Sequence, residues 1–228
     1  KAGKSTFLNA LLFGGEPILP KAATPMTASL TRLHHTTDRQ SVRFVYYSRD
    51  DWNEIKKEER KAQEQISGKI KIESTKHKEA GFHFNEEEWR KKFMGELSEE
   101  SRACCELCEE AKKISDLDNV LNKKEEIVSI DNITDVAGIL KKHIGSNGLY
   151  TAVVRHVELS INCEVLRDLE IVDTPGLNDP VVSRSQETLK SLAQCDSVFL
   201  LSRASMFLPE TDLQLLKGKT LYQEGINH

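Results

Sequence analysis

Apolar positions near the start of the chain follow a helical spacing. In KSTFLNALLF, residues 4–13, they recur at steps of three and four residues, which places them on one face of a helix. Gly14 and Gly15 follow directly, and glycine just past the last turn commonly ends a helix. The pattern therefore predicts a helix over residues 4–13. The proline-rich residues 16–33 are predicted to form an ordered loop that leads into a strand.

Four later segments have the pattern of strands. Residues 41–47, SVRFVYY, alternate apolar and polar positions, and residues 153–161 and 169–173 are rich in β-forming side chains. Residues 197–202, SVFLLS, are more continuously apolar, as in a parallel strand that is covered on both faces. Residues 186–193 lie between the last two strands and have a helical pattern. Strand, helix and strand in this order form a crossover unit, which indicates an α/β fold.

The middle of the chain has a different character. Residues 49–142 are dense in Lys and Glu, with thin apolar stripes such as Trp89, Phe93 and Leu97, a pattern typical of solvated amphipathic helices. We therefore expect an all-helical insertion over residues 49–149. The core would then be formed by residues 1–48 and 150–228. The insertion is either a partner-binding arm or a solvated appendage.

Composition excludes some classes of protein. The 228 residues are 38% hydrophobic and 30% charged, with a net charge of -4. This balance fits a globular domain with exposed helices and argues against a protein that wraps nucleic acid. Hydrophobic runs are too short for a transmembrane helix. The five cysteines are an odd number, which suits a reducing compartment better than a disulfide framework.

Three of the cysteines lie close together, at Cys104, Cys105 and Cys108. A zinc site needs four ligands, and neither a second Cys pair nor a His pair follows at finger-like spacing. A charged helix that carries thiols is the favoured interpretation.

The first residues carry part of a phosphate-binding loop, Gly3-Lys4-Ser5-Thr6. Glycine lets the backbone approach phosphate oxygens, the helix that starts here directs N–H groups at them, and lysine neutralises the β- and γ-phosphates. The serine hydroxyl can bind Mg²⁺. By itself, such a tetrapeptide also occurs by chance at helix starts.

A second motif, Asp173-Thr174-Pro175-Gly176, follows an apolar strand. There, a carboxylate can reach the metal through water and the Gly176 N–H can meet the γ-phosphate. The two motifs in this order predict a phosphate-binding switch protein. GTPases of this kind also carry a threonine between them that closes on Mg²⁺. Thr27 is favoured for this role, with Thr24 second and Thr31 also a candidate.

The segments KAGKSTFLNALL, LPKAATPMTASLT and VDTPGLND resemble the first motif, switch I and switch II of the bacterial dynamin-like large GTPases. The resemblance implies a P-loop NTPase fold: three layers, a mostly parallel sheet, and a helical insertion between the second and third strands. It also implies a set of nucleotide-binding residues, namely Lys1, Ala2, Gly3, Lys4, Ser5, Thr6, Asp173 and Gly176. Mg²⁺ would be held by Ser5, Thr27 and Asp173.

The resemblance assigns catalysis to Lys4 and Thr27, and we add a hypothesis for Lys1. Dynamins hold a charge-compensating monovalent cation beside the first loop, where Lys1 stands, so its ammonium can substitute for that cation. It can equally point to solvent. Switch II carries Leu177 where Ras-like enzymes place a water-orienting glutamine. No Asn/Thr-Lys-x-Asp for guanine recognition is present, and we expect both ends of the chain to be incomplete.

The function implied by the resemblance is hydrolysis of GTP with Mg²⁺, coupled to self-assembly and membrane remodelling. The expected partners are a second GTPase domain and, through parts outside this chain, a membrane surface. A cytoplasmic location is expected, with peripheral association at the inner face of the membrane. Two alternatives stay open: a nucleotide-dependent switch or scaffold with little turnover, and a P-loop ATPase or Era-like GTPase acting on RNA or ribosomes.

Overall fold

The computed structural model describes residues 3–19, 30–144, 148–174, 188 and 190–201. These residues form both helices and strands. The elements in chain order are α1 Lys4–Phe13, β1 Leu30–His35, β2 Ser41–Tyr46, α2 Arg49–Glu79, α3 Glu86–Glu96, α4 Glu99–Ala111, α5 Leu117–Lys123, β3 Glu125–Ser129, α6 Asp135–Ile144, β4 Val154–Ile161, a 3-10 turn Glu164–Leu166, and β5 Ile171–Asp173. Residues 188 and 190–193 are also helical and form the post-β5 helical segment.

The five strands form one mixed sheet with the order β3-β2-β4-β1-β5. Only β1 and β4 are parallel, and the other three pairings are antiparallel. The prediction of a mostly parallel sheet is therefore wrong for the described strands. The reason is the short connection of residues 36–40, which reverses the chain between β1 and β2. Because β4 lies between these two strands, it can be parallel to only one of them.

The helix predicted over residues 4–13 is confirmed as α1, and Gly14 ends it in the left-handed conformation with φ 61°. The strands predicted over residues 41–47, 153–161 and 169–173 are confirmed as β2, β4 and β5, each slightly shorter. The helix predicted over residues 186–193 is confirmed where it is described.

Two predictions about secondary structure are wrong. The middle of the chain is not all-helical, because β3 lies within it and pairs with β2. Residues 197–201 are described and form no strand. An apolar run needs a neighbouring strand to satisfy its backbone. None of the described strands pairs with this run, and Phe199 is 82% exposed.

The insertion is organised around α2, a helix of 31 residues. Its start is fixed by a capping box, in which the Ser48 hydroxyl accepts from the Asp51 N–H and the Asp51 side chain accepts from the Ser48 N–H. Trp52 and Ile55 connect its first turns to the main core, whereas Ile66 packs with Phe93 of α3 in a second, smaller core. The helix thus extends from the sheet to a separate packing unit.

The main core lies between the sheet and the helices. Val42, Phe44, Val157 and Leu159 are fully buried in it. The ring of His143 on α6 stacks on Phe44 with centroids 4.2 Å apart. At the base of the insertion, the Tyr47 N–H donates to the Val153 carbonyl at 2.9 Å, so the chain enters and leaves this region at adjacent backbone positions.

The cysteines of α4 contribute to packing. Cys104 and Cys105 are buried, and Cys104 belongs to the main core. Burial raises the pKa of Cys104 to about 12 and that of Cys105 to about 11. Both thiols are therefore protonated near neutral pH and behave as small apolar side chains.

Candidate functional site

The start of α1 is a helix N-terminus that a left-handed glycine precedes. Gly3 precedes the helix with φ 81°, in the left-handed region that favours glycine. Its carbonyl accepts the first helical hydrogen bond, from the Phe7 N–H at 2.9 Å. Gly3 has no side chain to cap the helix, so the N–H groups of the first turn are left for an anion.

Lys4 and Ser5 follow in the first turn of α1, and both are half-buried. Asp173 ends β5, which pairs with β1 at the border of the described sheet. The Ser5 hydroxyl donates to Asp173 Oδ2 at 3.2 Å, across 168 positions of sequence. The first turn of α1 and the end of β5, which carry parts of the two motifs, therefore meet in the structure.

The electrostatics of Asp173 reflect three opposing influences. Burial raises the pKa of Asp173 above its ordinary value, while the positive charge of Lys4 and the hydrogen bond from Ser5 lower it, and burial dominates. A buried carboxylate whose negative charge is only partly compensated favours the binding of a further cation. Lys4, Ser5 and Asp173 thus bring a positive charge, a hydroxyl and a carboxylate close together.

The donor set fits Mg²⁺, which prefers hard oxygen ligands and usually keeps several waters. Ser5 offers a hydroxyl oxygen and Asp173 a carboxylate. Across the part of the chain that the structure describes, no three His, Cys, Asp or Glu side chains converge on one metal position. A magnesium ion beside Ser5 would therefore take its remaining ligands from water, from phosphate oxygens or from residues outside the described ranges.

The other predicted site residues have different outcomes. Thr6 is exposed on α1. Lys1, Ala2, Thr27 and Gly176 lie outside the described residues, as does the alternative Thr24. The remaining threonine candidate, Thr31, is in β1, directly opposite Asp173 in the antiparallel ladder.

Sequence reasoning missed Asn9, which lies on the inner face of α1 and is 3% exposed. Its amide donates through Nδ2 to the Leu19 carbonyl at 3.0 Å, and its Oδ1 accepts from the Leu19 N–H at 2.8 Å. The side chain therefore fixes the chain that follows α1 against the helix. A polar residue amid the apolar positions of FLNALL was the available signal.

Asn9→Ala is expected to lower the free energy of unfolding by about 2 to 3 kcal/mol, because both backbone groups of Leu19 lose their buried partner. Urea unfolding followed by circular dichroism measures this change. Asn122→Ala is the control, since Asn122 only accepts an exposed hydrogen bond from Arg49. A change for Asn9→Ala as small as the control's would contradict the structural role of the amide.

The comparison with known sequences decides the family. The sequence profile of the dynamin family matches residues 1–225. The chain belongs to the dynamin family. The resemblance carried by the three sequence motifs is thereby confirmed, and a dynamin-family GTPase domain accounts for an α/β sheet with the phosphate loop at the start of α1.

This dynamin-family chain is similar to a bacterial dynamin-like protein and to a solved bacterial dynamin structure. Dynamin-like protein 1 of Campylobacter jejuni subsp. jejuni serotype O:23/36 (strain 81-176) is 27% identical over 216 residues, which are 94% of this chain and 23% of that protein. A solved structure described as an oligomerised bacterial dynamin pair, with a mechanism for long-range sensing and tethering of membranes, has a TM-score of 0.55 and 23% identity. The match covers 94% of this chain and 28% of that one, and it shows a shared fold. The chain thus spans about a quarter of the length of these relatives.

Proposed function

We propose that this dynamin-family chain binds GTP with Mg²⁺ and contributes the phosphate-binding part of a site that hydrolyses GTP to GDP and phosphate. The observation that carries the proposal is the hydrogen bond between Ser5 and Asp173. It brings the end of β5 to the first turn of a helix that begins with a left-handed glycine. Phosphate recognition and metal recognition need these two parts to meet.

Each residue has a role that follows from its position. The Lys4 ammonium is proposed to bind the β- and γ-phosphates, and the N–H groups of the first turn of α1 bind the same oxygens. Ser5 and Thr27 would hold Mg²⁺ directly, and Asp173 would accept hydrogen bonds from its waters. The ion, when bound, neutralises charge on the phosphate oxygens. Thr6, Ala2 and Gly176 keep the nucleotide contacts that the family motif implies.

Lys1 is proposed to place a fixed positive charge near the transferred phosphoryl group. Such a charge stabilises the negative charge that develops during in-line attack by water. This role suits a switch II that carries Leu177 where a glutamine would orient the water.

Coupling to self-assembly and to membranes is part of the proposal. The similar solved structure is of an oligomerised bacterial dynamin pair described as sensing and tethering membranes. By analogy with that pair, peripheral association in the cytoplasm, through parts outside the described residues, is the proposed mode of membrane contact. None of the helices that the structure describes is long and apolar enough to cross a bilayer.

The RNA-directed alternative is less well supported by the contacts of β1. Its Arg32 side chain donates to Glu170 and Ser191, and the His34 ring is hydrogen-bonded to the Ser160 hydroxyl at 2.6 Å. These basic side chains near switch I are therefore engaged within the protein. A basic nucleic-acid surface needs Arg and Lys directed outward.

Nucleotide competition followed by single-turnover kinetics tests the proposed function. In the full-length protein, GTP is expected to displace a fluorescent GDP analogue at far lower concentration than ATP does. Bound GTP is expected to yield phosphate faster than an unassisted GTPase, which turns over on the order of 10⁻⁴ per second. Equal competition by ATP would contradict the base preference. Phosphate release at the unassisted rate would instead favour the switch or scaffold interpretation.

A further inference from the structure

The Arg32 side chain joins three separate parts of the fold. It projects from β1, donates through Nη1 to Glu170 Oε1 at 3.1 Å and donates through Nη2 to the Ser191 hydroxyl at 2.8 Å. Glu170 directly precedes β5, and Ser191 belongs to the post-β5 helical segment. One guanidinium therefore contacts the chain on both sides of Asp173 in sequence.

The two contacts differ in their surroundings. Ser191 is 2% exposed, so its hydroxyl depends on partners within the protein. The Arg32 side chain is 27% exposed and that of Glu170 50% exposed, so this ion pair is partly screened by water. The bond to Ser191 is the one that water cannot readily replace.

Among the described strands, the one that carries Asp173 is held by a short ladder, and its Ile171 packs against the main core. β5 has three residues and lies at the border of the described sheet, where its neighbour among the described strands is β1. Three residue pairs join these strands, Thr31 with Asp173, Arg32 with Val172 and Leu33 with Ile171. A ladder this short tolerates displacement. A side chain that bonds to Glu170, directly before β5, and to Ser191 of the post-β5 helical segment restricts that displacement.

The position of Asp173 matters because its carboxylate reaches Ser5 only from the end of β5. The oxygen that faces Ser5 is 3.2 Å from the hydroxyl, close to the outer limit of an O–H···O hydrogen bond. A small shift of β5 would break this contact.

We propose that Arg32 is a positioning residue for the magnesium site: it fixes β5 against β1 so that Asp173 faces Ser5. This role rests on the proposed nucleotide function, and it is a role in metal binding more than in phosphate binding. Among the described residues, the guanidinium bonds to Glu170, directly before β5, and to Ser191 of the post-β5 helical segment, and not to the first turn of α1. Its loss should therefore act on the Mg²⁺-dependent part of nucleotide affinity.

The test is a Mg²⁺ titration of the full-length protein with a fluorescent GDP analogue. Arg32→Ala is expected to raise the Mg²⁺ concentration at half-saturation about fivefold to tenfold, near the lower end of what outer-shell partners of a metal contribute. Analogue affinity in excess EDTA should stay within about twofold of the parent, because Lys4 and the α1 N-terminus are intact.

Arg43→Ala is the matched control. Arg43 lies in β2 of the same sheet and also contacts two groups, the carboxylates of Glu125 and Glu158. It should leave the Mg²⁺ half-saturation unchanged. Ser191→Ala and Glu170→Ala each remove one contact of Arg32 and are expected to give smaller shifts, with the larger one for Ser191→Ala. They carry the test if Arg32→Ala does not fold.

The outcomes separate this inference from the function on which it rests. An unchanged Mg²⁺ half-saturation in folded Arg32→Ala, or an equal rise in Arg43→Ala, would overturn the positioning role while leaving the nucleotide site in place. A parent protein whose analogue binding ignores Mg²⁺ would overturn the proposed metal site itself, and the positioning role with it.

Discussion

Lys4→Ala should reduce nucleotide affinity by at least about a hundredfold, because it removes a charge-assisted interaction with the β- and γ-phosphates at the point where the nucleotide is most negative. Lys4 is half-buried in the first turn of α1 and close enough to Asp173 to lower the pKa of that carboxyl. No other lysine among residues 3–19 replaces it. Isothermal titration with GDP and Mg²⁺ measures the loss.

The fold should survive this substitution. Lys4 lies outside the buried core, so Lys4→Ala should still unfold cooperatively, with a modestly lower melting temperature because Asp173 loses a compensating positive charge. Lys57→Ala on α2 is the control, since Lys57 is exposed and pairs with Glu54 in the same helix. Parent-like GDP affinity in a folded Lys4→Ala protein would remove the basis for a phosphate site at α1.

Asp173→Asn is expected to weaken binding and to stabilise the nucleotide-free protein. The amide cannot supply the negative charge that holds the metal and its waters, and loss of such a partner typically costs 10- to 100-fold in metal affinity, so a loss of about that size is expected. Burial raises the pKa of Asp173 in the folded chain. Replacing the carboxylate by a neutral isostere therefore removes a desolvation penalty at neutral pH.

The pH dependence of this stabilisation has a definite sign. Below the unfolded pKa of about 3.9, the carboxyl is neutral in both states and the two proteins should melt alike. As pH rises, the unfolded chain releases its proton first, so the parent loses stability until the folded pKa is passed. The advantage of Asp173→Asn should therefore grow from acid to neutral pH and then level off.

Thermal unfolding from pH 3.5 to 7.5 without nucleotide measures the effect. Asp168→Asn is the control, because Asp168 is exposed in the segment before β5. A parent more stable than Asp173→Asn at pH 7 would show that Lys4 and Ser5 compensate the buried charge fully, contrary to the dominance of burial at this carboxyl.

The sequence predicts elements well where the evidence is local. α1 has a regular spacing of apolar residues and a terminal glycine that takes a positive φ, and both signals lie within a dozen residues. The meeting of Ser5 with Asp173 was also predictable, because each belongs to a motif with a defined place in a nucleotide site.

Other features depend on partners that local sequence does not show. β3 begins with Glu125 and Glu126, which disfavour a strand, yet they pair with Arg43 and the Tyr46 hydroxyl of β2. The apolar run at residues 197–201 has the composition of a strand but no described neighbour to pair with.

Arg32 shows the same limit within the candidate site. Its position in a short alternating strand is typical of a solvent-facing charge, and its partner Ser191 is 159 positions away. Only the three-dimensional arrangement brings the two residues together.

The order of the strands has a consequence for the charged insertion. β2 and β4 are antiparallel neighbours, with Tyr46 opposite Val154 and the Tyr47 N–H bonded to the Val153 carbonyl. The residues between Tyr47 and Val153 connect β2 to β4 as the loop of a hairpin does, although this connection is long and contains β3. Its tip can lengthen, shorten or change sequence without altering the register of β1, β4 and β5. The candidate site at Ser5 and Asp173 and the α2–α3 unit thus depend on different packing contacts.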